Sequence, residues 1–203
     1  MLAPMLSDVI AERRSIRRYQ DAPIDDAQLD ALLTAACWAP SAHNRQPWRF
    51  VVLREAAAKA RLAGAMGDRL RADRMRDGDD AVEIDGDVAR SHARITGAPV
   101  VIAVCLSLAD MDRYPDPSRA AAERTMAVQS VAMAVQNLLL AAAADGLGAC
   151  WMCAPLFCPE VVRDALDLPA DWEPQALVTL GRPASAGKPA SRRPLADVVL
   201  EVR

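Results

Sequence analysis

Residues 120–144 run without Gly or Pro through Ala, Leu, Val and Met, and among their few polar residues Gln129, Ser130, Gln136 and Asn137 recur seven apart. Seven residues make about two helical turns, so these polar groups share one narrow stripe of a helix that is otherwise apolar all round. Such a helix must be covered on most faces, and in a chain of 203 residues this predicts burial partly by a second copy, a homodimer. The polar stripe also interrupts the uninterrupted apolar run of about 18 residues expected of a spanning helix, so no membrane role is expected.

The rest of the composition is ordinary for a globular chain: 52% hydrophobic and 25% charged residues suit a single globular domain over 1–203. A net charge of −3 provides no overall field for nucleic acid, so none is expected as a partner, and any anion site must be local. The opening MLAPMLSDVIAERR meets acid and Arg too early for a signal peptide. Five cysteines, Cys37, Cys105, Cys150, Cys153 and Cys158, form an odd set mostly within apolar stretches. They suit reduced thiols, and the expected location is cytoplasmic.

Local patterns predict the remaining elements. Ser7 is expected to cap a short helix towards Arg13, Asp25 to cap a second through LDALLTAACWA, and Pro40 to end that one. RFVVL at 49–53 reads as a strand, residues 55–76 as an exposed helix, and the acidic stretch 77–87 as a loop. APVVIAVCLS at 98–107 reads as a buried central strand. After the long helix Gly146 supplies a left-handed stop, and LGACWMC and PQALVTLG are strands separated by the helix PEVVRDAL.

The densest charge is Arg13-Arg14-Ser15-Ile16-Arg17-Arg18-Tyr19. As helix it would set like charges four apart, which is destabilising without an anion between them; as extended chain, Arg13, Ser15 and Arg17 share one side. Both geometries present guanidinium forks and a hydroxyl suited to a phosphate, and a solvated basic face is the plainer alternative. Residues 38–48, WAPSAHNRQPW, form a stiff polar loop in which Asn44 and Gln46 offer amide edges to a heterocycle and Trp38 or Trp48 can cover a ring. With His43 and His92 the only histidines, a His-based metal site or serine triad lacks material. Cys150 and Cys153 have no second ligand pair, and Gly146-Leu147-Gly148 lacks the third glycine of a dinucleotide fingerprint, so no metal is expected.

Four segments in order, RRSIRRY, APSAHNRQPWRF, DGLGACWM and SRRPL, give the whole chain a resemblance to the nitroreductase family. The resemblance implies an α+β, nitroreductase-like fold: a mainly antiparallel sheet flanked by helices, a long central dimer helix, and FMN in clefts built from both subunits. It implies that Arg13, Arg14, Ser15 and Arg17 hold the FMN phosphate and ribityl chain, and that Pro40, Ser41, Ala42 and Asn44 come from the partner, with Gln46 a further cofactor-binding candidate through its amide. Ala42 lacks the hydroxyl many relatives carry there. It implies that Trp151, Met152 and Cys153 pass the flavin ring, with a backbone N–H meeting N5, and that Arg192 or Arg193 returns to the phosphate. The implied reaction carries a hydride from NADH or NADPH through flavin N5 to a small organic acceptor, with Trp38, His43 and residues 66–92 shaping the substrate pocket. Within the family the chain is most similar to the C-terminal reductase domain of bifunctional coenzyme F420 glutamyl ligases, so a dehydro-F420 reductase is the alternative enzyme. A non-catalytic flavin-binding dimer is the alternative from outside enzymology.

Overall fold

The computed structural model describes residues 5–201; residues 1–4 and 202–203, including Val202 of the apolar tail, lie outside that range. Its centre is a four-stranded antiparallel sheet ordered β1-β2-β4-β3, formed by β1 (Trp48–Leu53), β2 (Val100–Ser107), β3 (Gly148–Met152) and β4 (Trp172–Gly181). Strand β2 is buried along its whole length because helices cover both faces of the sheet. Its alternate residues divide between two cores, as the two-residue period of a strand requires. Val100, Ile102, Val104 and Leu106 join one cluster, and Val101 and Ala103 the other.

The first core lies under α2 (Asp26–Cys37) and α5 (Pro117–Ala144), the second under α3 (Ala56–Asp77), α4 (Ala81–Thr96) and α6 (Pro159–Ala165). This is the expected α+β arrangement of helices flanking an antiparallel sheet. Helix α5 starts with Pro117 at its first turn behind Asp116, whose carboxylate accepts from Arg119 N–H at 2.9 Å, and the chain turns away at Gly146 with φ 72°. By length and apolarity α5 alone among the described helices passes for a membrane span, with mean hydropathy 1.5 over 18 residues. Its buried residues, among them Ala127, Val131, Ala134, Val135 and Leu138, instead pack on the sheet and α2.

The polar stripe of α5 splits on closer view. Gln129 and Gln136 face outward, whereas Ser130 and Asn137 turn inward. Asn137 Nδ2 donates to the Ala35 carbonyl at 3.2 Å, and the Ser130 hydroxyl donates to Met126 O at 2.7 Å while accepting from Ala42 N–H at 3.4 Å. The stripe thus pins α2 and the loop after it to the central helix.

Three local expectations need correction. Ser7 sits inside the helix α1 (Leu6–Glu12); Met5 occupies the cap position and no side chain caps that end. Helix α2, capped by Asp25 as expected, already ends at Cys37 with Trp38 at its C-cap, so Pro40 lies beyond the stop. The loop expected over 77–87 shrinks to residues 78–80, because Asp80 accepts from Val82 and Glu83 N–H and starts α4. The spacing of Ile84, Val88 and Ile95 puts an apolar face on that helix. Ion pairs of Arg71 with Asp85 and of Arg74 with Asp87 then clamp α4 to α3, and Arg74 also pairs with Asp79 of the connecting loop.

Replacing Asp80 by Ala removes the acceptor of two orphan N–H groups. It should lower stability by about 1 kcal/mol and the melting temperature by roughly 2–4 °C, measured by thermal denaturation followed by circular dichroism.

Candidate functional site

After α1 the backbone turns extended, with Arg13 at φ −53° and ψ 132°. Ser15 forms a parallel bridge with Ala149 on the free edge of β3, and Ile16 N–H donates to Ala149 O at 3.0 Å. Tyr19 bridges Pro183 just past β4; its hydroxyl donates to Ile16 O at 2.6 Å and accepts from the Thr179 hydroxyl at 2.7 Å. Burial raises the Tyr19 pKa, which keeps the phenol protonated as a donor. The segment also lies close against three glycines. A Cβ on Gly148 would come within 2.7 Å of Ile16, one on Gly181 within 2.8 Å of the Tyr19 ring, and one on Gly187 within 2.9 Å of Arg14 and Ile16.

Of the two geometries open to this segment, the structure therefore has the extended one, with Arg13, Ser15 and Arg17 alternating away from Ile16. The Cys150 thiol registers their side: burial pushes its pKa up, and Arg17, Arg94, Arg13 and Ser15 pull against the shift. Arg14 is differently engaged. Its guanidinium donates to Ala11 O at 2.6 Å and Arg13 O at 2.9 Å, closing the C-terminal end of α1.

Ser15, Arg17 and Arg18 line one wall of a cleft of about 850 Å³, faced by Arg90 and Arg94 of α4 and by Lys188. No carboxylate lines it. Elsewhere surface arginines meet acids, as in Arg45 with Asp112 at 2.6 Å, Arg49 with Asp110 at 3.0 Å and Arg69 with Asp73 at 2.7 Å. Within the cleft only Arg90 has such a partner, Asp87; Arg17, Arg18, Arg94 and Lys188 form no ion pair among the described residues. The sequence reading missed Arg90, Arg94 and Lys188. A signal existed for the first two, since like charges four apart on one helix resist each other unless an anion lies near.

The loop 38–46 is built differently. His43, Asn44 and Gln46 have φ of 50°, 54° and 49°, left-handed values that cost non-glycine residues roughly 1–2 kcal/mol each, less for Asn. Surrounding bonds hold the strained turn: Ser41 Oγ accepts from Gln46 N–H at 3.0 Å, Arg49 donates to Gln46 O at 3.1 Å, and Arg45 is paired with Asp112. Strain maintained this way concentrates at functional sites. Pro40, Asn44 and Gln46, with Trp38 at 82% exposed, line a groove of about 900 Å³ over α2, while Ser41 and Ala42 are half-buried and His43 is exposed. Trp48 is core, only 5% exposed.

These two regions lie apart in one protomer. The loop rests on α5 at Ser130, whereas Arg13 and Arg14 share a pocket with Leu139 and Ala143. Nine to thirteen residues of helix separate those points, about 14–20 Å. Strand β3 runs away from Ser15 from Ala149 to Met152, about 10 Å. At its end Trp151 and Met152 are half-buried and Cys153 is exposed, its Sγ accepting from the Trp151 indole N–H at 2.9 Å. Arg192 and Arg193 do not line the basic cleft; the C-terminal cation there is Lys188, and Arg192 donates to Ser191 O at 2.8 Å.

Comparison with known proteins assigns this architecture. The model of the nitroreductase family matches residues 10–182. An NADH dehydrogenase of Thermus thermophilus is 34% identical over 93% of this chain and 92% of its own length. The 5,6-dimethylbenzimidazole synthase of Rhodospirillum rubrum is 31% identical over 84% and 78% respectively. A solved structure from Desulfovibrio desulfuricans, described as a nitroreductase in complex with FMN, superposes with a TM-score of 0.75 at 32% identity, covering 100% of this chain and 99% of its own. The chain therefore belongs to the nitroreductase family of FMN-dependent NAD(P)H oxidoreductases.

Proposed function

We propose that this chain works as a homodimer in which the N-terminal cations of one protomer bind the FMN phosphate and residues 38–46 of the other complete the ring pocket. The observation that carries the reading is the pair Arg17 and Arg18 beside Ser15, which form no ion pair among the described residues and face a cleft without acidic lining. A phosphate bearing about 1.5–2 negative charges is the ligand chemistry such a cradle fits. Arg13, Ser15 and Arg17 are the first set of holding groups; Arg14 is assigned the helix end, where its donors already lie.

Dimerisation follows from two features. One protomer buries only 44% of the most apolar 18-residue window of α5, leaving residues such as Ala132 and Met133 for a second copy. The separation along α5 of the cations and the strained loop is the other. The reading treats the chain as one FMN-binding domain, consistent with a single sheet serving both cores.

Bound FMN supplies the hydride chemistry, taking a hydride from NADH or NADPH at N5 and giving it to a small organic acceptor such as a nitro, quinone or enoyl compound. The protein's task is to fix and shield the ring. Residues 151–153, about 10 Å along β3 from the Ser15 bridge, are assigned to the ring edge, with a backbone N–H there as donor. Asn44 and Gln46, held in left-handed conformations, offer amide edges to the pyrimidine side, and Trp38 and His43 border the acceptor space. No acid–base pair is required for this division of labour. The five free thiols suit a cytoplasmic setting.

The double variant Arg13→Ala/Arg17→Ala should bind FMN roughly 100-fold more weakly or worse, read by flavin fluorescence quenching; unchanged affinity would refute the phosphate assignment. Gly148→Ala should push Ile16 off the sheet edge and weaken FMN binding about tenfold while far-UV circular dichroism stays the same. Assays with a nitroaromatic, a quinone and dehydro-F420, each with NADPH as reductant, separate the acceptor classes. An FMN-loaded dimer that NADH and NADPH both fail to bleach would reduce the reading to a flavin-binding protein.

A further inference from the structure

We propose that Arg90 and Arg94 of α4, together with Lys188, form a second anion subsite that takes a phosphate group carried by the substrate. This rests on the FMN reading above and extends it to substrate class.

The argument begins with charge. The cleft holds Arg17, Arg18, Arg90, Arg94 and Lys188 without any carboxylate in its lining. Asp87 offsets Arg90 only, and it also serves Arg74. A flavin phosphate matched by Arg13, Ser15 and Arg17 leaves Arg18, Arg94 and Lys188 uncompensated in a cleft without acidic lining.

The two sets come from different elements, although Ser15 and Arg17 line the same cleft as Arg90, Arg94 and Lys188, and Arg13 lines a pocket beside Leu139 and Ala143. Arg13, Ser15 and Arg17 belong to the extended segment seated on β3, while Arg90 and Arg94 come from α4, whose buried Ile95 anchors it to the second core. Arg90 and Arg94 stand one helical turn apart, a repulsive spacing that an anion between them relieves. Lys188 enters from the segment after β4, next to Gly187, whose φ of 80° and missing Cβ, which would lie 2.9 Å from Arg14, fix the turn at that point. The cleft, about 850 Å³, lies towards the upper end of the roughly 300–1,000 Å³ of small-molecule sites, room for more than one phosphate.

The shared chemistry is a phosphate monoester, and two sources supply it: the 2′-phosphate that distinguishes NADPH from NADH, and a phosphate on the acceptor. The test uses the FMN-loaded protein and the variant Arg94→Ala/Lys188→Ala, with Arg94→Lys as the charge-conserving control. One arm compares NADPH with NADH at a fixed neutral quinone; the other compares free FMN with riboflavin as acceptors at fixed NADH. The expected result is a KM increase of roughly tenfold or more for the phosphate-bearing member of one arm, with kcat and the unphosphorylated member unchanged and Arg94→Lys close to the parent. The arm that responds identifies the source. FMN affinity, measured separately by fluorescence quenching, should stay within about twofold.

A tenfold loss of FMN affinity would assign these residues to the cofactor's own phosphate and overturn the proposal. Equal KM changes for both members of each pair, or no change in either arm, would overturn it as well. If the parent protein binds no FMN, or bound FMN is not reduced by NADH or NADPH, it is the broader functional reading that fails.

Discussion

The seat of the extended segment 15–19 on the free edge of β3 and the residues just past β4 is the constraint on which the rest of the site depends. Backbone bonds from Ile16 N–H to Ala149 O and from Ala184 N–H to Arg18 O, both at 3.0 Å, set the register. The Tyr19 hydroxyl locks the far end through Ile16 and Thr179. Gly148, Gly181 and Gly187 make room, since at each of them a Cβ would fall under 3.0 Å from Ile16, Tyr19 or Arg14. Close packing converts this seat into electrostatics: with Ile16 turned into the core, Arg13, Ser15 and Arg17 must project from the other side of the strand.

The sheet extends that positioning to the rest of the cleft. Strand β3 carries the backbone from the Ser15 bridge to residues 151–153, while the second core fixes α4 so that Arg90 and Arg94 face the N-terminal segment. The strained loop 38–46 depends on the opposite core, through Ser130 and Asn137 of α5. One long helix thus lies beside both the loop and the N-terminal segment, at points about 14–20 Å apart along its axis.

How much of this the sequence revealed depends on the range of the interaction involved. The period of α5, the β-branched runs of β1 and β2, and the Asp25 cap are local, so pattern alone located them. The first half of helix α4 was lost to the acidic stretch 77–87, although Asp80 followed by Glu83 is a helix-start signature, because charge and Gly86 outweighed the wider spacing of Ile84, Val88 and Ile95. That error also hid Arg90 and Arg94, whose role depends on α4 folding back along α3. The motif RRSIRRY was visible, but its extended geometry came from non-local contacts with residues 149, 179 and 187, which no local propensity encodes. Left-handed backbone at His43, Asn44 and Gln46 was equally hidden, since only Asn among them commonly adopts it.

The most direct measurement of the central claim is the flavin content of a purified heterodimer. One protomer would carry Arg13→Ala/Arg17→Ala, the other Ser41→Ala/Asn44→Ala/Gln46→Ala. If the cations of one subunit and the loop of its partner share each site, the heterodimer contains one intact site and one doubly damaged site, so it should retain one FMN per dimer. Both mutant homodimers should be nearly colourless. A heterodimer as empty as the homodimers would place cations and loop around the same flavin within a single subunit and contradict the account.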